Sequence, residues 1–293
     1  MRRYLWTALL CLTVLPAWLL SGCGGSAEAA AMLRKEPPPL EEPAEEPAET
    51  LDYAVEMVDW EDSSQAEDGT ELATCRFQVP ELTVRRNGGE EVRQAETEAE
   101  AQALTVAEGF NSQFAAWTQG EELQELTEIA QADREWRNGD SVVYSMELAC
   151  RTYQTERMVS VAGDCYSYTG GAHPNTVLMA WNFDLTTGTF FTPELLAEDG
   201  KVFSQAVTEE LVRQIRAAAA EQGLAPEDAF WSNYEEIAAE WTSYAVSFDA
   251  EGMTVAFSPY ELACYAAGPQ EFRLPYRFLE PYLSEQGRAL LGV

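Results

Sequence analysis

Hydrophobic and polar residues alternate in several stretches of the chain, and this pattern predicts β-strands there. Residues 72–79 and residues 141–150 each place apolar side chains at every second position. A period of two is typical of a strand with one buried face. Residues 158–168 follow the second stretch after a short polar turn near 154–156, so the two stretches predict a long β-hairpin.

A period close to 3.6 predicts helices after the first strand. The large apolar residues of 90–117 fall on one helical face: Val106, Phe110, Phe114 and Trp117. A second, short helix is predicted after Gly120 from three further apolar residues: Leu123, Leu126 and Ile129. These side chains are expected to lie in a core rather than at a site.

The second half of the chain shows the same mixture of periods. Helices are predicted for residues 201–222, ending at Gly223, and again after Pro226. Further strands are predicted at residues 177–185, 244–248, 253–257 and 271–274, and a last helix at 276–283. Because strands and helices come in blocks rather than in strict alternation, the predicted class is α+β, with antiparallel sheets and packed helices.

The N-terminus has the order of a bacterial lipoprotein signal. Arg2 and Arg3 precede an apolar run over residues 4–20, which is short for a membrane-spanning helix. The run ends in Leu-Ser-Gly before Cys23, which resembles a lipobox. The resemblance implies a signal peptide at 1–22, lipid on Cys23 and a place on the outer face of the bacterial cytoplasmic membrane. An ordinary secreted protein with a chance cysteine is the alternative.

Residues 23–51 are predicted to form a disordered tether that begins with the lipid-carrying cysteine. The segment holds five prolines among glutamates and almost no large apolar side chain. It cannot bury enough surface to offset the entropy lost on ordering. At about 3.1 Å per residue the tether would hold the folded part at most roughly 80 Å from the membrane.

The chain is strongly acidic, with 50 aspartates and glutamates, 18 lysines and arginines, and a net charge of −32. Removing residues 1–22 takes away two arginines and no acid, which leaves −34. Nucleic acid is not expected as a partner, because binding it requires neutralisation of phosphates. A basic protein would be attracted over a long range, although solubility alone also accounts for such a charge.

The only histidine of the chain lies in a glycine-rich loop between two predicted strands. The candidate ligand-contacting residues of this loop are Tyr168, Gly170, Gly171, His173, Pro174 and Asn175. Adjacent glycines permit positive φ and a close chain reversal, and the proline fixes its own φ. His173 could hold the loop through a backbone hydrogen bond, contact a ligand or act as a general base. The sequence leaves these three roles open.

Motifs of known catalytic chemistry are missing from the sequence. It has no HExxH, GxSxG, Walker or GxGxxG pattern, and one histidine is a poor basis for a histidine-rich metal site. A glycosidase-type carboxylate pair cannot be singled out among 50 acids. We therefore predict no catalytic residue, no metal, no cofactor and no enzymatic activity.

Several separated motifs resemble one family. They are YTGGAHP at 168–174, NFDLTTG at 182–188, SPYELACYAAG at 258–268 and LPY at 274–276. Together they resemble the extracellular domain of RsiV-type anti-sigma factors, which sense lysozyme. Residues 52–168 resemble the domain of unknown function that precedes it there and in PdaC-type peptidoglycan deacetylases. The resemblance implies an N-terminal α+β domain at 52–168, intimately associated with a C-terminal α+β domain at 169–290.

Two departures limit what this resemblance implies. RsiV-type anti-sigma factors place a cytoplasmic domain and a transmembrane helix before the ectodomain, whereas this sequence begins with a lipoprotein-type signal, and the PdaC-type catalytic domain is missing. The resemblance therefore implies a non-catalytic extracellular module that binds a basic protein such as lysozyme, or cell-wall glycan. A hydrolase acting on peptidoglycan and a structural envelope lipoprotein are the alternatives.

Four cysteines would remain in the exported, folded part of the chain: Cys75, Cys150, Cys165 and Cys264. In an oxidising compartment an even set of cysteines is expected to pair. A hairpin turn near Thr155 places Cys150 and Cys165 about five positions out of register, too far apart for a bridge. Two connectivities remain, and we prefer Cys75–Cys150 with Cys165–Cys264, because Cys75 and Cys150 both lie on the apolar face of a predicted strand. The other, Cys75–Cys165 with Cys150–Cys264, stays open. Four buried free thiols are the alternative.

Overall fold

Residues 50–140 and 142–293 are described by a computed structural model of the chain. They lie within one compact unit, Ala48–Val293. The predicted signal at 1–22, the lipid-carrying Cys23 and residues 24–49 of the predicted tether lie outside the described residues. In the described part, no helix is both long and apolar enough to cross a membrane.

Strands and helices alternate in blocks along the described residues. The strands are β1 Leu51–Gln65, β2 Glu71–Arg86, β3 Glu90–Glu91, β4 Tyr144–Gln154, β5 Met158–Tyr168, β6 Asn175–Asp184, β7 Thr189–Phe190, β8 Ala245–Phe248, β9 Gly252–Phe257 and β10 Gln270–Pro275. The helices are α1 Glu98–Asn111, α2 Ala115–Thr118, α3 Glu121–Trp136, α4 Gly200–Glu221, α5 Pro226–Ala229, α6 Tyr234–Ala239, α7 Tyr276–Leu279 and α8 Glu285–Leu291. Short 3-10 turns lie at Pro193–Leu196, Trp241–Ser243, Tyr265–Ala267 and Glu280–Tyr282.

The strands form two sheets. In the larger sheet β1, β2, β4, β5, β6 and β7 are successive neighbours, and β3 pairs with β2. The smaller sheet has the order β10–β9–β8. All pairs are antiparallel except β2 and β4, which run parallel and are connected through α1, α2 and α3. A parallel pair requires a long crossover, which these helices provide. The predicted α+β class is confirmed.

The predicted domain boundary after residue 168 falls between neighbouring strands of the larger sheet. β5 ends at Tyr168, β6 begins at Asn175, and the two strands pair from end to end. Phe183 and Leu185, which follow the boundary, are buried in the same core as α1 and α3. The two predicted domains therefore share one sheet and part of one core.

A first hydrophobic core lies between the larger sheet and the helices α1 to α3. Phe77, Phe110 and Phe183 are at most 2% exposed there, and the last two rings meet edge to face at 5.3 Å between centroids. Val106 and Phe114, which the helical period placed on the inner face, are also buried. This agreement follows from amphipathicity, because the apolar stripe of α1 has one sheet face on which to pack.

A second core surrounds α4 and the smaller sheet. The residues that the helical period placed on the inner face of α4 are all buried: Phe203, Val207, Leu211 and Ile215. Trp241, in the turn before β8, is fully buried, and its Nε1 donates a hydrogen bond of 3.1 Å to Ser204 Oγ. Large apolar side chains such as these contribute most of the stability of a domain.

Ser160 of β5 and Asn182 of β6 form a buried polar link between the two sheets. Ser160 Oγ donates to Asn182 Oδ1 at 2.8 Å, and the Asn182 amide donates to the carbonyl of Val246 in β8 at 2.8 Å. The N–H of Phe248 donates to Ser160 Oγ at 2.8 Å. Asp184 accepts the backbone N–H groups of the turn that follows β6. The first and third residues of the NFDLTTG motif therefore serve the fold.

Glu100 is a buried carboxylate in the first turn of α1, with 2% of its surface exposed. Arg86 Nε donates to it at 2.6 Å, and the N–H groups of Glu96 and Thr97 donate at 2.6 and 3.0 Å. Thr97 caps the helix in return, which completes a capping box. These hydrogen bonds lower the pKa of Glu100 to about 2, and the bond from Arg86 has the largest effect.

Replacing Glu100 by glutamine is expected to lower thermal stability at neutral pH and to have almost no effect near pH 2. A carboxylate whose pKa is lower in the folded state stabilises the fold above its unfolded value of about 4.3. That contribution is lost as the pH falls toward the folded value of about 2. Melting curves between pH 2 and 7 measure the difference from wild type. Glu98→Gln, an exposed residue in the same turn, is the matched control. A constant difference across this range would contradict the assigned pKa.

Two features of the N-terminal half differ from the prediction. The 15-residue strand β1 was not predicted, and it begins at Leu51, the last residue of the predicted tether. The helix after Gly120 is long rather than short, and Ile129 on it is 48% exposed instead of buried. In α3 the core positions are Leu123, Leu126 and Ala130, so Ile129 lies beside the buried stripe and not within it.

The β4–β5 hairpin forms as predicted, but its predicted register was wrong. Cys150 lies opposite Gly163 and Cys165 opposite Leu148, so the two cysteines are two positions from direct opposition. The last pair before the turn is Gln154 with Val159. The turn centre therefore lies later in the chain than the predicted Thr155, which shifts every partner.

The four cysteines of the described residues are free thiols, and only Cys75 and Cys150 are buried. Neither the predicted bridges, Cys75–Cys150 and Cys165–Cys264, nor the alternative of four buried thiols is therefore present. Burial raises the pKa of Cys75 and Cys165 to about 11 and that of Cys150 to about 12. These three thiols are therefore protonated at neutral pH. Cys264 is exposed.

Candidate functional site

The glycine-rich loop connects β5 to β6, as predicted. Tyr168 ends the first strand as a half-buried residue, and Asn175 begins the second as an exposed one. Gly170 has a φ of 76°, and a Cβ at this position would lie 3.4 Å from the ring of Tyr144. Of the two adjacent glycines, Gly171 does not have a positive φ. Gly170 is therefore the residue of this pair whose backbone conformation favours glycine.

His173 projects from this loop as an exposed side chain and joins two tyrosines. Its ring stacks on Tyr265 with 3.9 Å between centroids and 24° between planes. Its Nδ1 lies 2.8 Å from the carbonyl oxygen of Pro174. A carbonyl can only accept, so Nδ1 carries the proton in this bond. Nε2 lies 3.3 Å from the hydroxyl of Tyr260. We call His173, Tyr260 and Tyr265 the aromatic cluster.

Tyr260 has a strained backbone and an exposed ring. Its φ is 73°, in the left-handed region that is costly for a bulky side chain, and 52% of its surface is exposed. Trp231 Nε1 donates to the carbonyl of Tyr260 at 2.9 Å, and the Trp231 N–H donates to the carbonyl of Leu262 at 3.0 Å. The surrounding segment therefore holds an unfavourable conformation that presents an aromatic ring to solvent.

The segment that carries both tyrosines is anchored to the larger sheet. Ser258 Oγ accepts the N–H of Leu178 in β6 at 3.1 Å, and Glu261 accepts the N–H of Ser258 at 2.5 Å. Leu262 and Ala263, between the tyrosines, are at most 2% exposed. Buried anchors on both sides of Tyr260 thus fix its position relative to the glycine-rich loop.

Sequence reasoning found one of the three residues of the aromatic cluster. His173 was singled out because it is the only histidine of the chain. Tyr260 and Tyr265 were noted only as letters of the SPYELACYAAG motif, since no local pattern shows that this segment meets the glycine-rich loop. One feature of the sequence could have pointed to them. Residues 258–268 contain two tyrosines, end in glycine and show neither the apolar period of a strand nor that of a helix.

The aromatic cluster offers groups that are suited to contact with a partner. Its groups are two phenols and one imidazole, which offer flat apolar faces and hydroxyl groups for hydrogen bonds. Exposed tyrosines supply large contact area at low entropic cost, which is why they are frequent in binding surfaces. The arrangement can therefore hold a protein surface or a sugar ring.

The charge of the described surface is strongly negative after internal pairing. Ten arginines of the described residues already form ion pairs with aspartate or glutamate: Arg76, Arg85, Arg86, Arg93, Arg134, Arg137, Arg151, Arg213, Arg216 and Arg273. The chain has far more acids than bases, so the excess carboxylates face solvent. Such a surface produces a long-range field that attracts cations.

A cavity of about 770 Å³ opens between the β1–β2 turn and α3. Four carboxylates and one arginine line it: Glu67, Asp68, Glu128, Glu135 and Arg134. Hydrogen bonds from Thr70 and the pairing with Arg134 lower the pKa of Asp68 to about 2. Over residues 50–140 and 142–293, no three His, Cys, Asp or Glu side chains are grouped closely enough to hold a metal ion.

One family model matches part of the chain. Residues 190–277 match DUF3298, a family described as a protein of unknown function. This DUF3298 match runs from the end of β7 into α7 and includes Tyr260 and Tyr265 of the aromatic cluster. His173 lies before it. No curated protein matches the chain.

Two solved structures were found to be similar to this chain. A DUF3298 family member from Bacteroides fragilis is 14% identical, with a TM-score of 0.55, over 81% of this chain and 96% of its own. A DUF3298 family protein from Pseudomonas aeruginosa is 14% identical, with a TM-score of 0.45, over 80% of this chain and 95% of its own. At this identity the likeness to the Bacteroides fragilis structure concerns the fold alone.

Proposed function

We propose that this chain is a non-catalytic surface lipoprotein whose folded part binds a basic protein, lysozyme being the example that the RsiV-type resemblance suggests. The lipid on Cys23 would anchor it to the outer face of the bacterial cytoplasmic membrane. The tether would hold the binding module away from that surface. This proposal extends the DUF3298 match of residues 190–277, which by itself assigns no activity.

The aromatic cluster is the observation that carries the proposal. Backbone strain costs of order 1–3 kcal/mol and is kept where the surroundings enforce it, often at ligand-binding positions. At Tyr260 this strain presents an exposed ring next to His173. A role in the core does not account for it, because half of the side chain faces solvent. Contact with a partner does.

The acidic surface favours a basic partner. Lysozyme-like proteins carry the opposite charge, so their encounter with this module would be accelerated at low salt and slowed as salt rises. Charge gives rate and orientation, whereas the apolar faces of the cluster would supply contact area. The charge would therefore speed the encounter, and the aromatic cluster would supply contact once the partner is bound.

Cell-wall glycan is a second candidate, because exposed aromatic rings can stack on sugars. Tyr260 and Tyr265 are 5.6 Å apart between centroids and tilted by 31°, so one sugar ring could contact both side chains. A neutral glycan would bind with little dependence on salt, which distinguishes it from a basic protein.

Titration of the compact unit Ala48–Val293 with hen lysozyme and with muropeptides tests the proposal. This unit contains both hydrophobic cores, so it is expected to fold without residues 1–47. We expect a lysozyme complex that weakens at least about tenfold between low and physiological salt. Binding of muropeptide alone, independent of salt, would favour the glycan candidate. Release of reducing sugar would show a hydrolase instead, and no complex with either ligand would leave a structural lipoprotein.

A further inference from the structure

Strand β1 lies at one end of the larger sheet. Its 15 residues pair with β2 on one side, in a continuous antiparallel register from Leu51 to Ser64. Within the described residues no strand pairs with its other side. Unpaired strand edges promote association with other chains, and proteins commonly protect them with lysine, proline or bulges. β1 contains neither lysine nor proline, and its one register shift lies at its very end.

The pair of residues just before β1 shows which residues of the strand form hydrogen bonds with β2. Asn87 N donates to the carbonyl of Thr50, and opposed residues in an antiparallel pair alternate between bonded and non-bonded. Even-numbered residues of β1 therefore bond to β2, whereas the N–H and C=O groups of odd-numbered residues point away from it. The carbonyl of Tyr53, an odd-numbered residue, does accept from Gln154 Nε2 at 2.8 Å, outside the ladder.

Beyond Gln78, where its pairing with β4 ends, the edge of β2 that faces away from β1 is protected at every second residue. Pro80 has no N–H to present there. The side-chain amide of Asn111 bonds both backbone groups of Leu82, at 2.7 and 3.0 Å. The carbonyl of Val84 accepts the N–H of Val92 at 2.8 Å. This part of the sheet therefore has partners for the polar groups that it would otherwise expose.

The outer edge of β1 is protected only near its ends. Gln154 covers the carbonyl of Tyr53, and the side chain of Asp62 accepts the N–H of Ser63 at 2.8 Å. Between them, the outward backbone groups of four residues have no partner among the described residues: Val55, Met57, Asp59 and Glu61. Met57 is 38% exposed. An open window of alternating donors and acceptors thus spans residues 55–61.

We propose that this window is a second binding surface, which accepts an extended basic peptide segment as an added strand. β1 carries five carboxylates and no cation. Glu56 and Glu61 pair with arginines of β2, whereas Asp52, Asp59 and Asp62 form no ion pair among the described residues and would be the acidic neighbours of lysines or arginines beside the window. A second copy of the same strand would instead bring like charges together, which disfavours self-pairing. Strand addition obtains affinity from main-chain bonds and selectivity from side chains. The surface is separate from the aromatic cluster.

A pair of peptides tests the proposal. The probe alternates lysine and valine and is long enough to span residues 55–61. Its partner has the same sequence but is N-methylated on every second residue, so that it keeps the charge and loses the donors on one edge. We expect the unmodified peptide to bind the unit Ala48–Val293, and the methylated peptide to bind at least about tenfold more weakly. Equal binding of the two peptides would mean simple charge attraction and would overturn strand addition.

A matched pair of protein variants gives a second measurement. Met57→Pro removes one outward donor without removing a bond to β2, whereas Met57→Thr keeps the donor and suits a strand. We expect loss of peptide binding in the first variant and retention in the second. If Met57→Pro fails to fold, the peptide pair still decides the matter. Dimerisation of the unmodified protein that Met57→Pro abolishes would identify a second copy as the occupant and overturn the basic peptide.

Discussion

Replacing Trp241 by alanine is expected to lower the free energy of unfolding by about 3–5 kcal/mol, the range for removal of a buried tryptophan. The side chain is fully buried in the second core, where its ring meets Phe203 edge to face at 6.0 Å between centroids. The substitution also leaves Ser204 Oγ without the hydrogen bond that Trp241 Nε1 donates. Urea unfolding of the unit Ala48–Val293 measures the loss.

Trp136→Ala is the control for this prediction. Trp136 ends α3 and is 78% exposed, so its removal is expected to change the free energy of unfolding by less than about 0.5 kcal/mol. If the two tryptophan variants were equally stable, Trp241 would not be the centre of the second core. The packing of α4 on the smaller sheet would then need to be described differently.

Replacing Asn182 by alanine is expected to cost about 2–4 kcal/mol, because two buried partners lose their bonds at once. The carbonyl of Val246 loses its donor, and the hydroxyl of Ser160 loses its acceptor. These groups lie between the two sheets, where replacement by water requires space and further polar partners. The loss is measured by urea unfolding. The exposed Asn175, at the start of the same strand, provides the control Asn175→Ala.

A double-mutant cycle with Ser160→Ala shows whether the link acts as a unit. Ser160 and Asn182 share one hydrogen bond of 2.8 Å, so the double variant is expected to lose less than the sum of the single losses. Additive losses would show that the two residues act independently. In that case the polar link would not couple the two sheets.

Periodicity in the sequence was sufficient to predict the core of the fold. The large apolar residues on the inner faces of α1 and α4 were predicted, because an amphipathic helix has one apolar stripe and buries it. The buried alanines of these helices were not predicted, and Trp117 is only half-buried. The β4–β5 hairpin was predicted in the same way from its period of two. In these elements local pattern and tertiary packing agree.

Strand β1 was missed because its sequence lacks a clear alternation. Acids recur through it, including Asp59, Glu61 and Asp62, and no residue of it is fully buried. A strand at the edge of a sheet can form without a regular apolar face. The formation of β1 therefore depends on its pairing with β2, which the sequence of β1 alone does not show. The hairpin register failed for a related reason, since a turn shifted by one or two residues changes every cross-strand partner.

The candidate site was only partly visible in the sequence. His173 attracted attention by composition, whereas Tyr260 is 87 residues away and meets it through the tertiary fold. Its positive φ is also invisible in the sequence, because tyrosine rarely adopts it. Three residues of the motifs that carry the family resemblance, Asn182, Asp184 and Ser258, form hydrogen bonds with the backbone instead.

Lysozyme titration of three proteins at low salt tests the central claim most directly: the unmodified unit Ala48–Val293, Tyr260→Ala and Trp136→Ala. Both variants remove an exposed aromatic ring, but only Tyr260 belongs to the aromatic cluster. We predict that Tyr260→Ala weakens binding at least about tenfold, as for a contact residue at the centre of an interface, with its melting temperature nearly unchanged. Trp136→Ala should bind like the unmodified protein. Equal affinity of all three proteins, or no complex with any of them, would contradict binding of a basic protein through the aromatic cluster.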